Sequence, residues 1–359
     1  MSRETAIQTE PEAMQQQTET SAGRMNPGPQ NPTRRVLMVC PELPYADNPG
    51  SMAPAARQIE SLKPLGIEPT VVDMRGIPKL KYLQAMPKIR NLARNVDLVH
   101  AHFGFCAWLA YLAQWPNMGG KPLVISFMGD DLLGSPYNEA GDLELFSKIM
   151  AKWNARLSKK GVAIITKSRE MADLLPVEAT VIPNGVNVDV FRPVDREVAC
   201  ERLDVDPTKT RVLFAGNPEN PRKRFELASK AVAIAQDKLD LDLTLVPLWN
   251  VAPDDVSFFM NSCDAMLMTS LIEGSPNVVK EGMACDLPVI GVPVGDVHEM
   301  LSGVEGCYRT SDQPEDIAEK LVRLLNSDRK TNGRDMILER GLDLASVAQR
   351  VVDVYDSVL

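Results

Sequence analysis

The sequence predicts an α/β protein built as two doubly wound, Rossmann-like domains in tandem, facing each other across a cleft. Three observations carry that expectation. From Arg34 onward, short apolar runs alternate with segments of helical period, and such alternation marks βαβ units. The runs are apolar almost without interruption, as strands of a parallel sheet covered on both faces must be. The alternation pauses at "NVDVFRPVDREVA" (187–199) and then restarts, and 359 residues suffice for two separate cores.

In order, "RRVLMVC" (34–40) reads as a buried strand stopped by Pro41, and the loop "DNPGSM" (47–52) leads into the helical "APAARQIESLKPLG" (53–66), which ends at Gly66. Strands follow at "EPTVVDM" (68–74), "DLVHAH" (97–102), "KPLVISF" (121–127), "GVAIITKS" (161–168) and "TVIPNG" (180–185), with helices at "FCAWLAYLAQW" (105–115) and "ELFSKIMAKWNARLSKK" (144–160). After the linker come "RVLFAG" (211–216), "LDLTLVP" (241–247), "CDAMLMT" (263–269) and "LPVIGV" (287–292), again separated by helices. The domains are placed at 34–188 and 189–341. Residues 1–33, rich in Gln, Thr, Glu, Pro and Asn and poor in large apolar side chains, read as a disordered tail.

Composition narrows the function. A net charge of −9 argues against a nucleic-acid partner, which calls for a basic excess. No apolar run reaches the ~18 residues of a membrane span, and the first residues lack a signal pattern. The six cysteines are scattered without a CxxC pair and read as buried free thiols, so a cytoplasmic protein is expected. No GxGxxG follows a first strand and no GxxxxGK[ST] is present, which counts against dinucleotide oxidoreductases and P-loop enzymes. Asp204/Asp206 and Asp240/Asp242 have DxD spacing but no His or Glu beside them, and with Asp130 and Asp131 they give no metal site.

The stretch "EGSPNVVKEGMACDLPVIGVP" (273–293) is the most informative. It leaves the carboxyl end of a predicted strand. Ser275 suits an N-cap and Pro276 the first helical position, and the amides of Asn277 and Val278 are then free for an anion at a helix N-terminus. Glu281 falls inside that helix and Glu273 stays in the loop; carboxylates so placed suit sugar hydroxyls rather than phosphate. Taken singly, each glutamate reads as an ordinary exposed residue, and the spacing of the two around a helix start is what argues otherwise. His102, at a strand end, reads either as a contact to an acceptor or sugar, or as a satisfied structural histidine; His298 reads as structural.

These residues resemble the E-x7-E signature of the retaining glycosyltransferases of family four. "DNPGSMAPAARQIESL" resembles that family's N-terminal glycine loop and first helix, "DLVHAHFG" its Asp-His-Ala-His element, and "VIPNGVNVDVFRP" the segment closing its first domain. "FAGNPENPRKRFELASKAV" is similar to its donor-phosphate loop, and "LASVAQRVVDVYDSVL" to a C-terminal helix that crosses back to the first domain. The resemblance spans Arg34 to Leu359 and implies the GT-B fold, with 342–359 packed on the N-terminal domain.

It also implies a nucleoside-diphosphate sugar as donor, held mainly by the second domain, an acceptor (glycan, lipid-linked or small molecule) held by the first, and no cofactor or metal. By position, Glu281 would hold the ribose, Glu273 the donor sugar, Asn277 and Val278 the diphosphate, and Lys223 its charge. Gly216 and Arg222 belong to the same phosphate loop, and Gly50 would let the first domain's backbone approach the phosphates. Departures are Asn217 for a usual arginine, Met128 for a usual histidine, Arg224 and Asp286 for usual glycines, and Gly282 for a usual alanine. Met128 and Asn217 keep two alternatives open: a sugar-nucleotide epimerase of the same architecture, and a non-catalytic nucleotide-sugar-binding protein. Finally, 75–96 carries Arg75, Lys79, Lys81, Lys88, Arg90 and Arg94 with no acid, interleaved with apolar residues. It reads either as a solvated surface helix or as a peripheral contact with the inner face of a membrane.

Overall fold

The structure, a computed structural model, describes residues 33–359 apart from Asp47, Pro49, 77–79 and 115–119. The expected tail at 1–33, all but its last residue, and Lys79 of the amphipathic segment lie outside the described residues.

The first lobe holds strands β1 Arg34–Cys40, β2 Ile67–Asp73, β3 Leu98–His102, β4 Leu123–Ser126, β5 Ala163–Thr166 and β6 Thr180–Val181. Around them run α1 Ala53–Leu62, α2 Leu80–Ala93, α3 Gly104–Ala113, α4 Asp130–Leu133, α5 Leu145–Leu157 and α6 Arg169–Asp173. The second lobe has β7 Thr210–Phe214, β8 Leu243–Pro247, β9 Ala265–Met268, β10 Val289–Gly291 and β11 Tyr308–Arg309. Its helices are α7 Arg196–Leu203, α8 Phe225–Leu239, α9 Val256–Asn261, α10 Asn277–Ala284, α11 Val297–Met300, α12 Pro314–Leu325 and α13 Gly333–Glu339, and α14 Leu344–Asp356 ends the chain.

Among the described residues every pairing between these strands is parallel, in the orders β2-β1-β3-β4-β5-β6 and β11-β10-β9-β7-β8. The apolar runs are buried along their length, Val36 to Cys40 and Ala265 to Met268 completely, because helices cover both faces. The order reverses beside β1 in one sheet and beside β7 in the other. Parallel βαβ units bind ligands at the carboxyl ends of strands at such reversals, so the loops after β1, β7 and β9 are where a site is expected.

Sequence expectations shift at element ends. α1 stops at Leu62, followed by a 3-10 turn and Gly66 at φ 82°, where glycine is at no disadvantage. The strand expected over 180–185 shrinks to Thr180–Val181. The short β11 escaped the sequence reading, since two residues carry no periodicity.

α14 crosses back to the first lobe. Val347, Val351 and Tyr355 share a buried cluster with Val36, Met38 and Leu98. Tyr355 Oη lies 2.6 Å from His100 Nδ1, and Asp356 pairs with Arg34 at 2.5 Å. Val186 N–H donates to Leu342 O at 2.9 Å and Leu344 N–H to Val186 O at 3.0 Å, pinning the crossing to the end of the first lobe. A methyl on Gly185 would sit 2.8 Å from Leu344 Cα and 2.9 Å from Asp343 O, both backbone atoms that cannot swing aside. Gly185→Ala should therefore lower unfolding stability by roughly 1–3 kcal/mol, the scale of an overpacked site. Urea denaturation with an unchanged midpoint would mean that the crossing is not tightly seated.

Candidate active site

The second lobe builds its half of the site by turning the chain sharply after β7. Gly216 adopts φ 149°, and a Cβ there would stand 3.0 Å from the Lys223 side chain, so glycine makes room for the lysine. Asn220 Oδ1 accepts from Arg222 N–H at 3.0 Å and caps the turn Pro221–Lys223. Arg224 follows at φ 54° and points inward, its Nε donating to Thr269 O at 2.7 Å. Thr269 Oγ1 returns a bond to Lys223 O at 2.8 Å. The phosphate-loop candidate is thus bolted to the end of β9, which presents Lys223 toward Glu273: Nζ to Oε1 is 2.6 Å. Arg222 crosses to the first lobe and pairs with Asp130 at 2.5 Å.

Two departures from the family pattern explain themselves here. Arg224 and Asp286 both occupy left-handed backbone, at φ 54° and 53°, a conformation glycine adopts at no steric cost. Gly282 leaves space that Met266 fills, since a Cβ on it would meet Met266 Cε at 2.3 Å.

α10 corrects one expectation. It starts at Asn277 with Pro276 in the cap position, and no side chain caps it. The Ser275 hydroxyl is instead drawn into the protein, where it accepts from Lys280 Nζ at 2.8 Å. A buried ammonium competes for that oxygen more strongly than a backbone amide does. The first amides of α10, those of Asn277 and Val278, still lack intrahelical partners, as at any helix start. Glu281, one turn further in and 9% exposed, accepts from Arg57 Nη2 of α1 at 2.8 Å.

Gly50, Gly216, Arg222, Lys223, Val278 and Glu281 line a single cavity of about 560 Å³. Glu273 meets it through Lys223. Asn217, Trp249, Asn250 and Val251 complete the wall. Facing them, the loop after β4 brings Gly129 against Gly274; a Cβ on Gly274 would lie 3.4 Å from Gly129 Cα. Asp131 organises that loop by accepting from the amides of Met128, Gly129 and Gly104, each at 2.9 Å. Its burial outweighs those bonds and raises its pKa to about 6. The Met128 side chain supplies no proton donor at this edge of the cleft.

His102 differs from expectation. It is wholly buried at the end of β3, and neither ring nitrogen has a partner among the described residues. Burial, with Lys167 nearby, lowers its pKa to about 3, so the ring is neutral. It therefore lies beneath the cleft surface rather than on it.

Sequence reading missed Arg57 and the loop 249–251. Arg57 stands 224 residues from Glu281, and only the fold brings them together. The loop had one usable signal: it leaves the carboxyl end of β8, the edge strand paired with β7, and ligands sit at the carboxyl ends of parallel strands.

The first lobe, residues 36–190, matches the family described as Glycosyltransferase Family 4, and residues 202–327 match Glycosyl transferases group 1. The glycosyltransferase MJ1178 of Methanocaldococcus jannaschii is 38% identical over 276 residues, covering 74% of this chain and 77% of that protein. The chain belongs to the family 4 glycosyltransferases. The putative teichuronic acid biosynthesis glycosyltransferase TuaC of Bacillus subtilis is 23% identical and covers 80% of each chain. By fold, the chain is similar to sucrose-phosphate synthase of Thermosynechococcus elongatus, with TM-score 0.71, 15% identity, and 90% of this chain and 99% of that one covered. It is also similar to Anabaena HepE in complex with UDP and glucose, with TM-score 0.68, 16% identity, and 90% and 100% covered. The architecture is therefore GT-B, and the cleft between the sheets is the cleft of a glycosyltransferase.

Beneath it, Lys167 of the first lobe and Lys280 of α10 are both buried, with pKa values lowered to about 7 and about 8 mainly by burial. Lys167 has one weak bond, to Ile182 O at 3.4 Å. A lysine whose folded pKa is lowered binds fewer protons folded than unfolded between about 7 and 10.5, so its contribution to stability rises with pH across that window. Lys167→Met should therefore be more stable than the parent at pH 7. That advantage should shrink by about 1.4 kcal/mol per pH unit toward pH 10. Urea titrations at pH 7, 8 and 9 showing a constant difference would contradict the burial of an unpaired ammonium.

Proposed function

We propose that the protein transfers a sugar from a nucleoside-diphosphate sugar to an acceptor with retention of anomeric configuration, and that protein cations and amides take the place of a divalent cation on the diphosphate. The observation that carries this reading is one cavity lined by Lys223, Glu281 and the start of α10, with Glu273 joined to it through its ion pair with Lys223.

The roles follow from charge and position. Glu281 accepts hydrogen bonds from the ribose hydroxyls and is held for that task by Arg57. The diphosphate lies against the α10 amides of Asn277 and Val278 and draws Lys223 and Arg222 toward it, relaxing their present pairs with Glu273 and Asp130. Freed of Lys223, Glu273 accepts from a donor-sugar hydroxyl. Gly50 and Gly216 leave room for the phosphates. As the bond from anomeric carbon to diphosphate oxygen breaks, the acceptor hydroxyl approaches from the same face, and the departing diphosphate takes its proton. His102 acts from below, as part of the support of the sugar subsite. The complexes of HepE make uridine diphosphate the first nucleotide to try. Neither the epimerase nor the non-catalytic alternative has a specific observation in its favour; the uncharged Asn217 on the cavity wall leaves Arg222 and Lys223 on the same wall.

Glu273→Ala should keep nucleoside-diphosphate affinity within a few-fold while lowering transfer about 100-fold or more, the scale of a charged hydrogen bond made chiefly in the transition state. Glu281→Gln should weaken nucleoside diphosphate and donor alike. Titration calorimetry beside steady-state kinetics decides the matter. Equal nucleotide loss in both variants would show that Glu273 only shapes its loop. Donor binding by the parent protein with neither transfer nor hydrolysis would favour the non-catalytic reading.

A further inference from the structure

A second cavity, of about 580 Å³, opens in the first lobe beside the catalytic cleft. Lys81 and Tyr82 of α2, Phe105 of α3, and Phe146 and Met150 of α5 line it, and Asp130 joins it to the donor side. α2 and α5 therefore rim one mouth. Around that mouth, large apolar side chains face outward. Leu83 is 67% exposed, Leu145 74%, Phe146 71% and Trp153 54%. Leu145, Ile149 and Trp153 recur every fourth residue, so they form one stripe along α5. Exposed apolar residues scattered singly need no explanation, but a contiguous stripe does.

The same two helices are basic segments of an acidic protein. Residues 80–94 hold four Lys or Arg and 145–160 hold five, with no acid in either, although the chain as a whole carries −9. On α2, Lys88 and Arg90 are exposed, as is Arg94 just beyond it; on α5, so are Lys148, Lys152 and Arg156. Among the described residues none of these six is ion-paired. No helix in the described residues is long and apolar enough to cross a membrane.

We propose that α2 and α5 together seat the protein on an anionic membrane surface. Trp153, Phe146 and Leu83 enter the headgroup region and the flanking lysines and arginines meet lipid phosphates. The lipid surface is then also where the cavity mouth opens, so an acceptor anchored in the bilayer reaches the cleft; this last clause rests on the transferase reading above, whereas the docking itself does not. Exposed apolar side chains and unpaired cations on two helices that rim one mouth match an interface whose charge is negative and whose first layer is only partly wet. A protein partner would have to be acidic and apolar over the same stripe, and a second copy of this chain would bring like charges together.

Flotation of the full chain with vesicles tests this directly. Vesicles of phosphatidylcholine with about one third phosphatidylglycerol should carry the protein, pure phosphatidylcholine should carry at least tenfold less, and 0.5 M salt should release most of it. Ile149→Ser with Trp153→Ser, and separately Lys148→Glu with Lys152→Glu, should each lower binding at least tenfold while leaving nucleoside-diphosphate affinity unchanged. Absence of flotation, or flotation equal on neutral vesicles, overturns the proposal. So does a dimer in sedimentation velocity that the Ile149/Trp153 variant takes apart, because a second copy would then cover the stripe. Vesicle binding without nucleotide binding would retain the surface and remove the transferase reading, so the two failures are distinguishable.

Discussion

A carboxylate taken out of water needs a positive partner or it takes up a proton. Glu281 is buried inside α10, and the cation beside it is Arg57, supplied by the other lobe. Much of the cleft depends on that pairing. It fixes the Glu281 side chain at the cavity wall and joins α1 to α10 across the gap. Arg57 is itself backed by the Phe191 ring at 5.8 Å, which lies on the linker between the lobes. Lobe connection and cavity wall therefore share one ion pair. Arg222 with Asp130 repeats the pattern at the loop after β4, on a more exposed pair and with correspondingly less hold.

The remainder of the site consists of ways to let backbones approach. Gly129 and Gly274 face each other across the lobes, and Gly295 packs under Gly274, where a Cβ would come within 2.6 Å of its carbonyl oxygen. Glu273 sits on this tight stack, so its position is set by backbone packing and by Lys223 together. Below lies the polar layer of Ser275, Lys280 and Asp296, and further in the neutral His100 and His102. Its groups are buried with few partners, and the layer is paid for by the apolar cores on either side of it.

The sequence made the sheets legible because parallel strands must be apolar on both faces, and "RRVLMVC" or "CDAMLMT" has no other use for such a run. Glu273 and Glu281 were marked by a helix start directly after a strand and Lys223 by the resemblance of its loop, and the fold brings Lys223 against Glu273. Arg57 was not, since nothing local marks an arginine whose partner is 224 residues away. Ser275 misled because capping chemistry is local whereas the buried ammonium of Lys280 is a tertiary fact. The α5 stripe was hidden for a similar reason. Apolar residues cover so much of that helix that period alone cannot say which of them face the core, and only burial separates Leu157 from Leu145.

The most direct test of the account is a double-mutant cycle on Arg57 and Glu281, read as affinity for a nucleoside diphosphate. If Arg57 acts by holding the Glu281 carboxylate, Arg57→Ala should weaken binding about tenfold in the parent and hardly at all once Glu281 is Gln, a coupling of about 1.4 kcal/mol. Independent losses that simply add would contradict the account, and would make the pair a contact between lobes with no bearing on the ligand.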